Sequence, residues 1–89
     1  MRIGTTQIQE FLRPDGKARV EIFVRDDGIY SFVEEALGLD ENPSSGEVTT
    51  YWYPTAWGGK CESLDIALRE AKGRVPWLRE LRTPIIEQI

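Results

Sequence analysis

The sequence predicts an α+β domain: a three- or four-stranded antiparallel meander, one main C-terminal helix on one face, and a short terminal helix. Three observations carry this. Ala18 to Arg25 alternates apolar and polar residues, the period of a half-buried strand. Asp26-Asp27-Gly28 interrupts it, and an aromatic, β-branched run resumes at Ile29, as in a hairpin. Farther on, Leu64, Ala67, Leu68 and Ala71 recur at the spacing of one buried helical stripe behind Ser63.

The first element is open between two readings. Gln7 to Leu12 forms a strand joined to the next by the turn Arg13-Pro14-Asp15-Gly16. Alternatively, Thr6 caps a short helix holding Ile8, Phe11 and Leu12. The strand reading is preferred. In the hairpin, a three-residue loop with Gly28 in the left-handed conformation sets Arg25 opposite Ile29 and Ile22 opposite Phe32. Val20, Ile22, Val24, Tyr30 and Phe32 then share the core face. A two-residue Asp27-Gly28 loop would send Tyr30 and Phe32 to the other face. The returning strand is expected over Ile29 to Glu35.

Leu37 to Gly46 reads as a loop, dense in turn residues at Asn42-Pro43-Ser44-Ser45-Gly46. Glu47 to Tyr53 is the next strand. Val48, Thr50 and Trp52 face inward; Thr49, Tyr51 and Tyr53 face outward. Pro54 is expected to end it, since proline cannot donate to a ladder. Thr55 to Lys60 is then a connector. Ser63 caps a helix from Leu64 to about Lys72, with Asp65 in its first turn and Gly73 as its C-terminal cap. Pro76 suits the first position of a second short helix, from which Trp77, Leu78 and Leu81 pack on the core. Pro84 stops it. Residues 83–89, with the apolar Ile85-Ile86-Glu87-Gln88-Ile89, form a tail that is either flexible or docked on the domain or a partner.

Composition bounds the chemistry. The 89 residues suit a single domain spanning the chain, with 40% apolar and 29% charged residues. A chain this short buries about two-thirds of its unfolded surface. Its stability is expected to be on the order of 5 kcal/mol. The single cysteine, Cys61, allows no internal disulfide, which fits a reducing compartment. Met1 to Leu12 lacks the pattern of a signal peptide, and no stretch approaches the roughly 20 apolar residues of a membrane span. A cytoplasmic protein with no membrane contact is expected. The chain has no histidine, so Ser-His-Asp and Cys-His catalysis have no base within one chain. A zinc site would need nearly all its ligands from carboxylates. No cofactor, metal site or catalytic residue is predicted, and the chain is not expected to be an enzyme.

The net charge of -4 is unevenly spread: +2 over residues 1–25, -7 over 26–59 and +1 over 60–89. Asp26, Asp27, Glu35, Asp40, Glu41 and Glu47 make a predicted acidic surface. It suits a basic protein partner rather than a phosphate backbone. The plainer alternative is that these carboxylates only keep the sheet soluble. The element order superficially resembles that of plant-type AP2 DNA-binding domains and of double-stranded-RNA-binding domains. The basic residues that such domains set against phosphates are missing here, so no nucleic-acid partner is expected.

Several candidates are weighed against ordinary structural roles. Cys61, near a helix start, is a structural thiol more readily than a nucleophile, because Glu62 beside it disfavours the thiolate. Trp57-Gly58-Gly59-Lys60 lacks the spacing of a phosphate loop and reads as a link between strand and helix. Glu34 and Glu35 point to opposite faces of a strand and cannot act as an acid–base pair. Phe23, Val33, Tyr51 and Tyr53 are predicted to share the outer sheet face, more apolar than solubility requires, which is either a contact surface or a face covered by the N-terminal segment or the tail.

The leading functional expectation is therefore a small non-enzymatic interaction or regulatory module. Its partner is another protein or a second copy, held through that aromatic face. The alternative is an acidic regulator that masks a basic surface of another protein. The third reading is a small-molecule binder or enzyme using Trp57, Lys60 and Cys61 at the strand-to-helix loop.

Overall fold

The computed structural model describes residues 4–81. Four antiparallel strands form one open sheet in the order β1-β2-β3-β4, followed by two helices. They are β1 (Thr5–Leu12), β2 (Ala18–Arg25), β3 (Tyr30–Glu41), β4 (Val48–Cys61), α1 (Leu64–Arg74) and α2 (Pro76–Glu80). This is the predicted α+β meander. The N-terminal segment is a strand, as preferred. The 83–89 tail and the stop at Pro84 lie outside the described residues.

The register of the β2–β3 hairpin is the predicted one. Val24 pairs with Tyr30 and Ile22 with Phe32, and the Arg25 N–H donates to the Ile29 carbonyl at 2.8 Å. Gly28 sits at φ +87°, which a side chain would resist. Val20, Ile22 and Phe32 are fully buried against Ala67 and Ala71 of α1, with Val75 and Leu78 beyond. Alanines on the buried stripe let the helix lie close to the sheet, and Phe32 fills much of what remains. The Ser63 hydroxyl accepts from the Ile66 N–H at 3.2 Å, the predicted N-cap. Gly73 is not the C-terminal cap. The helix runs on to Arg74, because Pro76 drives the preceding Val75 to extended backbone (φ -121°, ψ 95°).

The β3–β4 hairpin is longer than predicted. Leu37 to Glu41 is strand rather than loop, paired with Val48 to Trp52, and the connection shrinks to residues 42–47. Pro54 does not end β4, and the predicted connector from Thr55 to Lys60 is strand. Two features permit this. As an edge strand, β4 can carry a proline whose nitrogen owes no bond to a neighbour. A β-bulge at Thr55 also relieves the ladder: Glu34 pairs with Ala56, but Glu35 pairs with Pro54.

That bulge overturns the predicted facing of β4. Ala56 and Gly58 lie on the helix side, opposite Glu34 and Phe32. One extra residue reverses the alternation toward the N-terminus of the strand. Trp52, opposite Leu37, therefore lies on the helix-free face rather than inward. Tyr53 and Tyr51, opposite Ala36 and Gly38, lie on the helix side, beyond the helix.

Past Leu37, whose N–H donates to the Lys17 carbonyl at 2.9 Å, β3 has only β4 beside it. The two strands project as a ribbon. The radius of gyration is accordingly 15.3 Å, against roughly 12 Å for a compact chain of this length.

Candidate interaction surface

Helices α1 and α2 cover one face of the sheet. Among the described residues, nothing covers the other. Pairing places side chains there in cross-strand rows. One row is Glu10, Glu21, Val33, Trp57; the next is Leu12, Arg19, Glu35, Pro54. Phe23 lies to one side of them; Leu37 with Trp52, and Leu39 with Thr50, lie to the other. Trp57 is 64% exposed and Leu39 69%. Apolar side chains thus run along the β3–β4 half of the face.

The β1–β2 half carries most of the charged side chains of the face, between Leu12 and Phe23. Arg19 Nε donates to Glu35 Oε1 at 2.8 Å, and its guanidinium lies 4.1 Å from the Trp52 ring centroid. Arg19 reaches Glu21 only at 3.8 Å and Glu10 only at 3.9 Å. Three carboxylates thus surround one guanidinium. Burial pushes the Glu21 carboxyl up from its ordinary range; Arg19 opposes this, while Glu35 and Glu10 add to it. A carboxyl raised on folding contributes most below its unfolded pKa, and that contribution is lost as pH rises through the folded value. The ionised Glu21 therefore costs stability at neutral pH. Glu21→Gln is expected to raise the melting temperature at pH 7 by about 2–4 °C. Calorimetry at pH 7 and pH 4 checks it; an equal or larger gain at pH 4 would contradict it.

The predicted residues are partly separated. Phe23 and Val33 are on the open face, as expected. Tyr51 and Tyr53 are on the opposite side of the ribbon, with ring centroids 5.9 Å apart. The acidic surface is also divided. Glu35 is paired with Arg19, and Asp27 with Arg25, whose guanidinium lowers the Asp27 carboxyl's pKa. Asp26 lies at the hairpin turn, its N–H donating to the Gly4 carbonyl at 3.0 Å. Asp40, Glu41 and Glu47 gather at the outer part of the ribbon. Sequence reasoning missed Leu37, Leu39, Trp52 and Trp57 on the open face. The alternation of Leu37 and Leu39 with Gly38 and Asp40 was the available signal for the ribbon.

Two clefts on the helix side lie beside the helices. One, of about 260 Å³, is lined by Phe11, Leu68, Lys72, Leu78 and Leu81. The other, about 190 Å³, is lined by Lys60, Cys61, Ile66, Glu70 and Arg74, with the strand glycines. Cys61 is buried there, and Lys60 adopts φ +61° in the adjoining bulge. Burial and the Glu70 charge push the Cys61 thiol up, away from thiolate. Trp57 lies on the other side of β4, so it does not share this cleft with Cys61. A thiol reagent at pH 7 is expected to modify native Cys61 far more slowly than denatured Cys61. Equal rates would mean an accessible, reactive thiol.

Among the described residues, no three His, Cys, Asp or Glu side chains are placed to hold a metal ion. None of the described helices is long and apolar enough to cross a membrane. No protein family, no curated protein and no solved structure matches the chain.

Proposed function

We propose that this protein is an interaction module that docks another protein on the helix-free face of its sheet. The single observation that supports it most is the helix-free face, where Trp57, Leu39 and Val33 of the β3–β4 half, with Phe23 of β2, present apolar surface that no second layer among the described residues covers. Large apolar side chains exposed together mark contact surfaces, and tryptophan is over-represented among residues that dominate binding energy. The proposal includes a cytoplasmic setting, consistent with a lone buried thiol and no disulfide.

Photo-cross-linking in cells tests the reading. A photoreactive amino acid at Trp57 or Leu39 is expected to give a discrete adduct that is lost on Phe23→Ser. The same group at Arg69, on the exposed side of α1, is expected to give none. No adduct from the sheet positions, or equal adducts from all three, would end the proposal. The adduct mass separates a different protein from a second copy of this chain. The acidic-regulator reading is retained because Asp40, Glu41 and Glu47 gather on the ribbon. It requires binding that weakens steeply with salt.

A further inference from the structure

The docking reading of the open face, on which the inference rests, leaves the occupant unnamed. The face itself narrows the choice. Its β3–β4 half is apolar. Toward β1 and β2, Glu10 and Glu21, with Glu35 of the adjoining β3, surround the single Arg19, an excess of two negative charges. Arg19 is committed to Glu35 at 2.8 Å and to the Trp52 ring. Glu10 and Glu21 stand directly opposite each other across β1 and β2, an unfavourable arrangement for like charges. Neither has a cation closer than 3.8 Å among the described residues. Arginine or lysine from outside would relieve that repulsion.

The same charges argue against a second copy. Stacking two of these faces with like strands superposed would bring two anionic halves together in a contact that excludes water, and with strand order reversed would bury each anionic half against apolar surface without a cation; both oppose association. The dimensions suit a helix better. Four strands about 4.8 Å apart put the outer strand axes roughly 14 Å apart. A helix with its side chains is about 10–12 Å across. Laid along the sheet, it covers both halves at once.

The geometry points to a cationic amphipathic helix of another protein as the occupant of this face. Its apolar stripe lies on Val33, Leu37, Trp52 and Trp57, and a Lys or Arg reaches Glu10 and Glu21. Such helix-on-surface recognition uses apolar anchors one turn apart, with charge setting orientation.

Fluorescence anisotropy with two labelled synthetic peptides tests this. One is an amphipathic helix of Leu and Lys; the other carries Glu in place of Lys. The Lys peptide is expected to bind and the Glu peptide not. Glu10→Gln with Glu21→Gln is expected to weaken the Lys peptide by at least about tenfold. Asp40→Asn with Glu47→Gln removes the same charge from the ribbon and is expected to change affinity by less than about twofold. Because Glu21→Gln is expected to stabilise the fold, lost binding in the first pair is not lost folding, and the melting temperature verifies this. Equal weakening by both pairs would reveal diffuse attraction and overturn the inference. Equal binding of the two peptides, or of neither, also overturns it. So does concentration-dependent dimerisation that Trp57→Ser abolishes. If Trp57 still cross-links another protein while the Lys peptide fails, the docking face stands and only its chemistry is wrong. If both fail, the functional reading falls with it.

Discussion

Phe32→Ala is expected to abolish or nearly abolish cooperative unfolding. Phe32 is 2% exposed and lies between Ile22 of β2 and Gly58 of β4, under α1. Removing a buried phenylalanine side chain costs about 3–5 kcal/mol, the lost transfer energy plus the cavity. A domain of this size has about 5 kcal/mol in all. The neighbours cannot refill the space. Ala67 and Ala71 are too short, and the β2–β3 ladder holds Val20 and Ile22 in place. Phe32→Leu, which keeps much of the volume, is expected to retain a transition weakened by about 1–2 kcal/mol. Urea denaturation followed by circular dichroism distinguishes them. A midpoint for Phe32→Ala within a few tenths molar of the parent would show that the core lies elsewhere.

Gly58→Ala is expected to destabilise by about 1–3 kcal/mol, while Gly38→Ala changes stability by less than about 0.5 kcal/mol. Both glycines lie in strands directly beneath an aromatic ring from the neighbouring strand. A Cβ at Gly58 would come within 2.5 Å of Phe32 Cε1, and one at Gly38 within 2.5 Å of Tyr51 Cζ. The overlap is the same; the freedom to relieve it is not. Phe32 is enclosed by the core, so β4 must move away from β3 or the ring must leave its site. Tyr51 is 48% exposed on the ribbon and can swing into solvent. There the ordinary gain of alanine over glycine in a strand offsets the adjustment. Paired urea titrations of the two variants decide it. Equal losses would mean that the ribbon is packed as tightly as the core.

Where local chemistry and tertiary packing agreed, the fold was legible from the residues. Ala18–Arg25 has an apolar face and a polar face, so only one register buries Val20, Ile22 and Phe32 together. Ser63 and Pro76 act within one helical turn of themselves, and the structure uses both as expected. The candidate surface was half legible. Phe23 and Val33 belong to that well-patterned hairpin, and they lie where their alternation puts them. Tyr51 and Tyr53 belong to a stretch apolar on both faces. Val48, Thr50 and Trp52 compete there with Tyr51 and Tyr53 for the inward side, and alternation alone does not decide between the two sets.

Local chemistry was enough for the order of the elements, the β2–β3 hairpin with its register, the helix starts and the core of β2, β3 and α1. How far β3 and β4 extend, and which way the tryptophans face, came from the assembled sheet. A strand's length depends on the hydrogen-bonding partner alongside it, which no local window contains. A bulge's effect also reaches beyond its own position: one unpaired residue at Thr55 turns over every side chain before it in β4. Trp52 is thereby set beside Leu37 and over Arg19, on the face that the helices leave open.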